Sequence, residues 1–234
     1  MQQYFVDEEL KIGEEYLFTK EQRHHAKTVA RLENEKVRLV YRGKAYYALA
    51  FSKGNDFVAE VLEKDPINRE LKQDIILAMS LIRREKFEFV LQKATELGVS
   101  KIIPIVTSRC IVQAKKDKQE RYTQIVLEAA QQCKRDRIPE MSEVKKLKEI
   151  TDIPFDTKIV AYEKEEGTKQ ILDAYQNGKN TLVLIGPEGG FSEEEIEELT
   201  AHDFQSVSLG KRILRAETAA VYALSILANQ IESE

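Results

Sequence analysis

The chain has 234 residues, and its 36 Lys plus Arg against 40 Asp plus Glu give a formal net charge of −4 at pH 7. This length allows one large or two small domains with a buried core, and we favour two. The overall charge argues against nucleic-acid binding by the whole surface, but residues 80–146 hold fifteen Lys plus Arg and nine Asp plus Glu, a local +6. This basic middle region is a candidate RNA face.

Cysteine usage and hydropathy exclude several classes of protein. Cys110 and Cys133 are the only cysteines and form no C-x-x-C pair, so neither a zinc site nor a disulfide framework is indicated. The first residues lack a basic start followed by an apolar run, and no stretch of about 18 apolar residues occurs anywhere. We therefore expect a cytoplasmic protein with no membrane span and no metal.

Residues 1–65 alternate in the manner of β-strands. Strands are predicted at 37–41, 45–51 and 57–62. Turns containing Gly43 and Gly54 separate these strands, which predicts a small antiparallel meander or barrel.

A polar connector over residues 63–70 precedes a change of pattern. It contains Asp65-Pro66, and the residue before a proline is biased towards extended backbone. We therefore predict one domain over residues 1–68 and a second over 69–234.

From Gln73 onward, strand patterns alternate with helix patterns. Strands are predicted at 75–81, 102–106, 158–162, 181–185 and 206–209. Helices are predicted at 87–97, 122–133, 168–176, 192–201 and from Ala216 onward. Gly98 supplies a stop for the first helix. This order predicts an α/β fold with a largely parallel sheet, and periodicity alone would make it an ordinary doubly wound sheet.

The segment Leu182–Glu195 has the pattern of a buried strand, a glycine-rich turn and a helix start in succession. Ser192 and Glu195 form a predicted capping box, and three carboxylates fill the first turn of the helix. A phosphate cradle needs free backbone N–H groups and usually a Lys after the glycines. Because the helix start is already neutralised by its own Glu residues, the turn suits a neutral or cationic ligand.

A second segment, Ser206–Ala220, repeats this order of short strand, glycine turn and helix. Taken singly, Ile213 and Leu214 would be core residues, and the arginines at 212 and 215 would belong to a solvated surface. The pairing of two such turns makes a ligand site the better interpretation.

Residues 186–192 are GPEGGFS, and residues 209–219 are LGKRILRAETA. Together they closely resemble the paired signatures of the RsmE family, ribosomal RNA uridine-N3 methyltransferases of the SPOUT class. Further segments resemble family motifs in the family's order, at 83–88, 92–99, 108–110 and 128–139. The N-terminal part is similar in layout to the family's PUA-like RNA-binding barrel, with Arg42-Gly43 where the family commonly has an Asp-Gly hairpin.

The resemblance implies a PUA-like β-barrel over 1–68, followed by a SPOUT α/β domain over 69–234 with a C-terminal trefoil knot. It also implies S-adenosylmethionine as cofactor and a homodimer. The implied substrate is N3 of a uridine in 16S ribosomal RNA, uracil 1498 in the family, within the small subunit or its assembly intermediate. The alternatives are a SPOUT enzyme acting on another RNA base and a non-catalytic RNA-binding module. The small residues Ala219, Ala220, Ala223 and Ala228 could pack helices across the dimer, or that helix could be internal.

The resemblance also assigns site residues. The implied cofactor contacts are Tyr162, Ile185, Gly186, Pro187, Glu188, Gly190, Leu209, Gly210, Ile213, Leu214 and Thr218. Basic and amide side chains able to bind phosphate or a uracil edge are candidate RNA contacts, with a solvated face as the alternative. These are Arg23, His25, Arg31, Arg83, Arg84, Lys86, Arg109, Arg121, Gln132, Arg135 and Arg212.

Methylation at N3 of uracil requires loss of a proton, so a base or an anion stabiliser is needed. A carboxylate, Glu96 or Glu217, could accept the proton, or Arg215 and Arg135 could stabilise the uracil anion. The alternatives are ion pairing of Glu217 with a nearby arginine and of Glu96 with Lys93. The residues alone do not decide between these roles.

Overall fold

The computed structural model describes residues 1–112, 118–165 and 169–234, which form two units. The first unit comprises residues 1–70 together with 130–137. Its elements are β1 (Gln3–Phe5), β2 (Glu15–Leu17), α1 (Lys20–His24), a π-helical turn (His25–Val29), β3 (Glu35–Tyr41), β4 (Lys44–Lys53) and β5 (Asp56–Lys64). The strands form one sheet in the order β1-β3-β4-β5-β2, in which only the β1–β3 pair is parallel.

The three long strands of this unit confirm the predicted antiparallel meander. Arg42 and Gly43, between β3 and β4, have φ of 45° and 78°, so both residues are left-handed as a two-residue hairpin turn requires. Arginine is a poor residue for this conformation, and its guanidinium lies 5.3 Å from the ring of Tyr41. An Asp-Gly pair is therefore not needed to close this hairpin.

Aromatic side chains and a buried ionic cluster fill the first unit. Tyr4 and Phe57 each meet Phe18 edge to face, at 5.0 and 5.2 Å between ring centroids. The guanidinium of Arg38, fully buried on β3, donates to Asp65, at 2.8 Å, and to Asp136. Because a buried cation is tolerated only when it is paired, Arg38 attaches the segment 130–137 to the sheet.

The second unit comprises residues 71–129 and 138–234. Its strands are β6 (Ile75–Ser80), β7 (Lys101–Val106), β8 (Glu140–Met141), β9 (Lys145–Lys146), β10 (Thr157–Ala161), β11 (Thr181–Ile185) and β12 (Phe204–Val207). Its helices are α2 (Arg84–Glu96), α3 (Gln119–Gln132, of which 130–132 lie in the first unit), α4 (Lys148–Thr151), α5 (Ile171–Ala174), α6 (Glu193–Ala201) and α7 (Ala216–Glu232).

The sheet of the second unit is parallel, as predicted. Its order is β12-β10-β11-β6-β7-β8, with β9 also paired to β7, and each of these pairs is parallel. Alternate residues of each strand face opposite layers of helices. On β11, Val183 belongs to the core beneath α2 and α7, whereas Leu182 and Leu184 belong to the core that includes Leu199 of α6.

Helix ends agree with their sequence signals. Ser192 accepts a hydrogen bond from the backbone N–H of Glu195, whose carboxylate accepts in return from the N–H of Ser192, so the predicted capping box is present. Gly98 has a φ of 89°, and Val99 N–H donates to the carbonyl of Ala94, which closes α2 in a Schellman motif.

Two predictions about helices need correction. The helix predicted at 168–176 is the shorter α5, which spans Ile171–Ala174, and Thr168 lies outside the described residues. The alanines of α7 are buried inside the second unit, so their small size serves packing within the subunit rather than a subunit interface. Among the described residues, no helix is long and apolar enough to cross a membrane.

Candidate functional site

A cavity of about 650 Å³ opens in the second unit, at the carboxyl ends of the parallel strands. This volume is typical of small-ligand sites, and the carboxyl edge of a parallel sheet is where such sites form. Five chain segments form its wall, following β6, β7, β10, β11 and β12: Arg83 and Lys86, Ile111 and Val112, 161–163, 185–191, and 208–216 with Ala219.

The first glycine loop, 186–190, brings backbone to the cavity wall. Gly190 has a φ of 68°, and its N–H donates to the carbonyl of Pro187 at 2.9 Å. A Cβ on Gly190 would lie 2.1 Å from Oε1 of Glu163, and a Cβ on Gly186 would lie 3.0 Å from the ring of Phe191. Gly190 is favoured by its left-handed backbone, and a side chain there would force Glu163 to move, whereas at Gly186 the only restriction is the tight contact with Phe191.

The second glycine loop, 208–215, forms another part of the wall. Gly210 has a φ of 107°, and its N–H donates to Oγ of Ser208 at 3.2 Å. Ile213 is 86% exposed although it is a large aliphatic residue. An exposed aliphatic side chain at the mouth of a cavity is suited to cover an apolar ligand surface.

Nearly every residue predicted to contact cofactor lies in this wall. These are Tyr162, Ile185, Gly186, Pro187, Glu188, Gly190, Leu209, Gly210, Ile213 and Leu214. Thr218 is instead exposed on the first turn of α7, outside the wall. Sequence reasoning did not single out Ile111, Val112, Ala161, Glu163, Phe191, Ser208, Lys211, Ala216 and Ala219. The signal that could have found the first four is their position at the carboxyl end of a parallel strand or in the segment that follows it.

The three catalytic candidates differ in position. Arg215 lines the cavity and is exposed at the start of α7. Glu217, on the first turn of α7, pairs with Lys86 of the wall at 3.1 Å. Glu96 is at the far end of α2, where Lys93 donates to both of its oxygens at 2.8 and 2.9 Å. The structure thus corrects the catalytic prediction for Glu96, whose carboxylate is paired and outside the cavity.

Some RNA candidates lie on the same unit as the cavity. Arg84 and Arg121 both bond to Glu88, at 2.8 and 2.5 Å, while their guanidinium groups stay exposed. Hydrogen bonds from Arg121 are the main reason that the pKa of Glu88 is lowered to about 2, since burial opposes them. Arg109 is exposed and donates to the carbonyl of Gly189 at 3.1 Å, so it rests on the first glycine loop.

Arg135 does not have the position predicted for it. Its side chain is only 4% exposed, and Nη2 bonds to Oε2 of Glu70 at 2.5 Å within the first unit. A guanidinium that is buried against a carboxylate cannot reach an RNA phosphate from this position. We therefore correct the prediction that Arg135 contacts RNA, whereas its neighbour Gln132 is exposed.

The first-unit RNA candidates lie near the π-helical turn. Arg23 is half-buried and pairs with Asp56 at 3.3 Å, and Arg31 is exposed with a φ of 53°. His25 is half-buried, with Nδ1 at 3.1 Å from the hydroxyl of Tyr4. This contact fixes the ring of His25 against the core of the unit.

A metal centre requires a cluster of His, Cys, Asp or Glu ligands. Within 1–112, 118–165 and 169–234, no group of three or more His, Cys, Asp or Glu side chains is arranged to hold an ion. The site chemistry in the described residues therefore consists of backbone amides, aliphatic walls and charged side chains.

Comparison with known proteins places this site in a family. A model of the RNA methyltransferase domain matches residues 69–228. Ribosomal RNA small subunit methyltransferase E of Mesomycoplasma hyopneumoniae (strain 232) is 36% identical over 230 residues, covering 96% of this chain and 98% of the relative. The protein of the same name from Bacillus subtilis (strain 168) is 34% identical over 253 residues, covering 99% and 98%.

Solved structures of methyltransferases are also similar to this chain over nearly its whole length. The ribosomal RNA small subunit methyltransferase E of Neisseria gonorrhoeae, bound to S-adenosyl methionine, aligns with a TM-score of 0.90 at 29% identity over 98% of both chains. A methyltransferase from Legionella pneumophila, in complex with the same cofactor, aligns with a TM-score of 0.88 at 31% identity over 97% of both chains. The chain therefore belongs to the ribosomal RNA small subunit methyltransferase E family, the RsmE family that its two glycine motifs resemble.

Proposed function

We propose that this protein transfers a methyl group from S-adenosylmethionine to N3 of a uridine in 16S ribosomal RNA, the family's uracil 1498. The substrate is the small subunit or its assembly intermediate. The observation that carries the proposal is the cavity between the two glycine loops, in a chain whose structural neighbours from N. gonorrhoeae and L. pneumophila hold this cofactor. From this substrate we propose that the protein is located in the cytoplasm.

The residues of the cavity fit S-adenosylmethionine. Its aliphatic walls, Leu209, Ile213 and Leu214, suit the adenine ring, while the backbone of the glycine loops can bond to its polar edge. A side chain at Gly190 would have to displace Glu163, which itself lines the cavity, so glycine at this position keeps the wall in its present shape. When bound, the cofactor supplies an electrophilic methyl group on a sulfonium.

The charges of the wall suit an anionic second substrate. Five cationic side chains line the cavity against two carboxylates, those of Glu163 and Glu188. The cations are Arg83, Lys86, Lys211, Arg212 and Arg215. RNA phosphates and a deprotonated uracil both carry negative charge, which such an excess stabilises. Arg215 is the proposed anion-stabilising contact, and Arg83 and Arg212 are proposed phosphate contacts.

Family membership supports the finer features of the proposal. A PUA-like barrel formed by the N-terminal residues, a trefoil knot in the second unit and a homodimer are proposed from it. The target base must leave its helical stack to expose N3, so exposed basic residues such as Arg109, which rests on the first glycine loop, would hold the splayed strand.

Two measurements test the proposal. Calorimetry should detect one S-adenosylmethionine per subunit. Mass mapping of 16S RNA from a strain lacking the gene should reveal the loss of one methyl group on a uridine, restored by the parent gene. A methyl group lost from another base would instead identify a different RNA target. Unchanged RNA together with no cofactor binding would leave a non-catalytic RNA-binding module.

A further inference from the structure

One of the five cations lining the cavity is held differently from the others. Nζ of Lys86 lies 3.1 Å from Oε1 of Glu217, and the two side chains are only 28% and 16% exposed. The other four cations are exposed, and no ion pair within 4 Å involves them in the part of the chain that the structure describes. Lys86 is thus the cation of the wall that a second side chain keeps in place.

Helix stability does not explain the position of Lys86. It occupies the first turn of α2, where the helix dipole disfavours a positive charge. Glu217 occupies the first turn of α7, where the dipole favours a negative charge. The dipole of α7 therefore stabilises the carboxylate of Glu217. That carboxylate in turn stabilises the charge of Lys86, which the dipole of α2 disfavours.

The ion pair is also only partly satisfied. Oε2 of Glu217 is buried and has no hydrogen-bond partner among the described residues. A buried acceptor without a partner costs stability, on the order of 1–3 kcal/mol. A partly satisfied ion pair at the wall of a ligand cavity is a feature typical of functional sites.

We propose that Lys86 is a further catalytic residue of methyl transfer and that Glu217 is its positioning residue. The inference rests on the proposed function, because it concerns a uracil nucleophile. The negative charge of a uracil deprotonated at N3 is shared by O2 and O4, which flank N3. Two cations can then act at once, with Lys86 donating to one carbonyl oxygen and Arg215 to the other.

The reaction balances without a protein base. The proton of N3–H leaves to water, and the N3 lone pair forms the bond to the methyl carbon. The C–S bond breaks, and its electron pair stays on sulfur, which becomes a neutral thioether. Lys86 supplies charge and a hydrogen bond and transfers no proton.

Glu217 is poorly suited to remove that proton. Burial raises its pKa, but its own backbone amide, Lys86 and Arg215 together lower it below the ordinary value. A carboxylate with a lowered pKa is a weaker base, so this pair works through Lys86.

Single-turnover methylation of small subunits by the full-length protein, with cofactor and RNA saturating, tests the inference. We expect Lys86→Gln to lower the rate constant by roughly ten-fold to a thousand-fold while the Kd for S-adenosylmethionine stays within about two-fold. Lys86→Arg should retain much of the rate, since it keeps the charge. Lys101→Gln is a matched control, because Lys101 is 29% exposed and pairs with Glu140 at 2.7 Å on β7, away from the cavity.

A double variant separates positioning from proton removal. If Glu217 acts through Lys86, then Lys86→Gln/Glu217→Gln should be no slower than Lys86→Gln alone, whereas independent roles would make the losses multiply. RNA with 5-fluorouridine at the target, whose N3 ionises more readily, should restore part of the rate of Lys86→Gln. Multiplied losses, or a parental rate for Lys86→Gln, would overturn the inference. Failure of the parent protein to methylate uridine would instead overturn the proposed function.

Discussion

Gly190 is a residue on which the shape of the cavity depends. Its backbone is left-handed, at a φ of 68°, and an added Cβ would lie 2.1 Å from Oε1 of Glu163, which also lines the cavity. Gly190→Val should therefore displace either the loop or Glu163 into the space proposed for the cofactor. We expect calorimetry to show at least a hundred-fold loss of S-adenosylmethionine affinity, about 3 kcal/mol.

The control for this variant is Gly178→Val. Gly178 has nearly the same φ, 72°, but a Cβ there would meet nothing within 4 Å. Both variants should lose similar stability from backbone strain, roughly 1–2 kcal/mol in thermal unfolding, whereas only Gly190→Val should lose cofactor binding. Parental affinity in a folded Gly190→Val protein would show that the cofactor binds elsewhere.

At the residue scale, glycine positions were the part of the site that could be predicted. Glycine itself predicts a left-handed backbone at positions 190 and 210, because few other residues tolerate that conformation. The burial of Arg135 was not predictable, since it depends on Glu70, which is 65 residues away. The pairing of Lys86 with Glu217 likewise joins two helices that are far apart in the sequence.

Among the elements, β3 is unusual because it contains a fully buried arginine, Arg38. Arg38 holds Asp65 and Asp136, and the segment 130–137 lies against the sheet through this cluster. Burial raises the pKa of Asp65, but hydrogen bonds from Arg38, the backbone of Ile67 and Arg69 outweigh it and lower the pKa to about 2.

The sign of the resulting pH dependence follows from linkage. Because the folded pKa of Asp65 is depressed, its contribution to the free energy of unfolding is present above the unfolded value of 3.8 and is lost as pH falls towards about 2. The contribution at neutral pH is roughly 2 kcal/mol. Asp65→Asn should lower stability by about that amount and flatten the decline in stability between pH 4 and pH 2, as measured by urea unfolding.

Asp7→Asn is the control, since Asp7 is exposed and has no hydrogen bond or ion pair in the described part of the chain. It should change the free energy of unfolding by less than about 0.5 kcal/mol. An Asp65→Asn protein whose stability falls with acid as steeply as that of the parent would show that the cluster is not the source of the dependence.

Element type was largely predictable from the sequence, but element length was less so. The helix α6 could be placed to within a residue because Ser192 and Glu195 cap it. The short strands β1 and β2 were not predicted, because three residues are too few to show a period-2 pattern. The length of α5 was overestimated. Ile171 and Ala174 have helical spacing, but this spacing does not show that the helix is only one turn long.

At the scale of the whole molecule, the outer face of α7 is the place to look for a subunit contact. The buried alanines leave Tyr222, which is 45% exposed, as its large outward residue. If two copies associate through this helix, a charge there would be buried without a partner, at a cost of several kcal/mol. Tyr222→Asp should therefore sediment as a monomer at micromolar concentration, whereas the parent and Tyr222→Phe should sediment as dimers. A monomeric parent would remove the proposed homodimer.

The distribution of charge over the molecule leads to the last prediction. Although the net charge is −4, the cationic side chains Arg83, Lys211, Arg212 and Arg215 are exposed around the cavity mouth. Each phosphate contact releases condensed counterions, so the logarithm of RNA affinity should fall with the logarithm of salt by about 0.7 per contact on a single strand.

Arg212→Gln should weaken RNA binding and reduce that slope by about 0.7. The control is Lys179→Gln, which removes the same charge from an exposed turn just before β11, at the end of the sheet opposite the cavity. Arg135→Gln should lower stability, because Glu70 loses its ion-pair partner and keeps only hydrogen bonds from backbone amides. The salt slope should stay unchanged in the Arg135→Gln protein that remains folded. Filter binding of a target-site RNA between about 50 and 200 mM salt measures all three. Equal slopes for Arg212→Gln and Lys179→Gln would mean that the cavity mouth does not hold RNA.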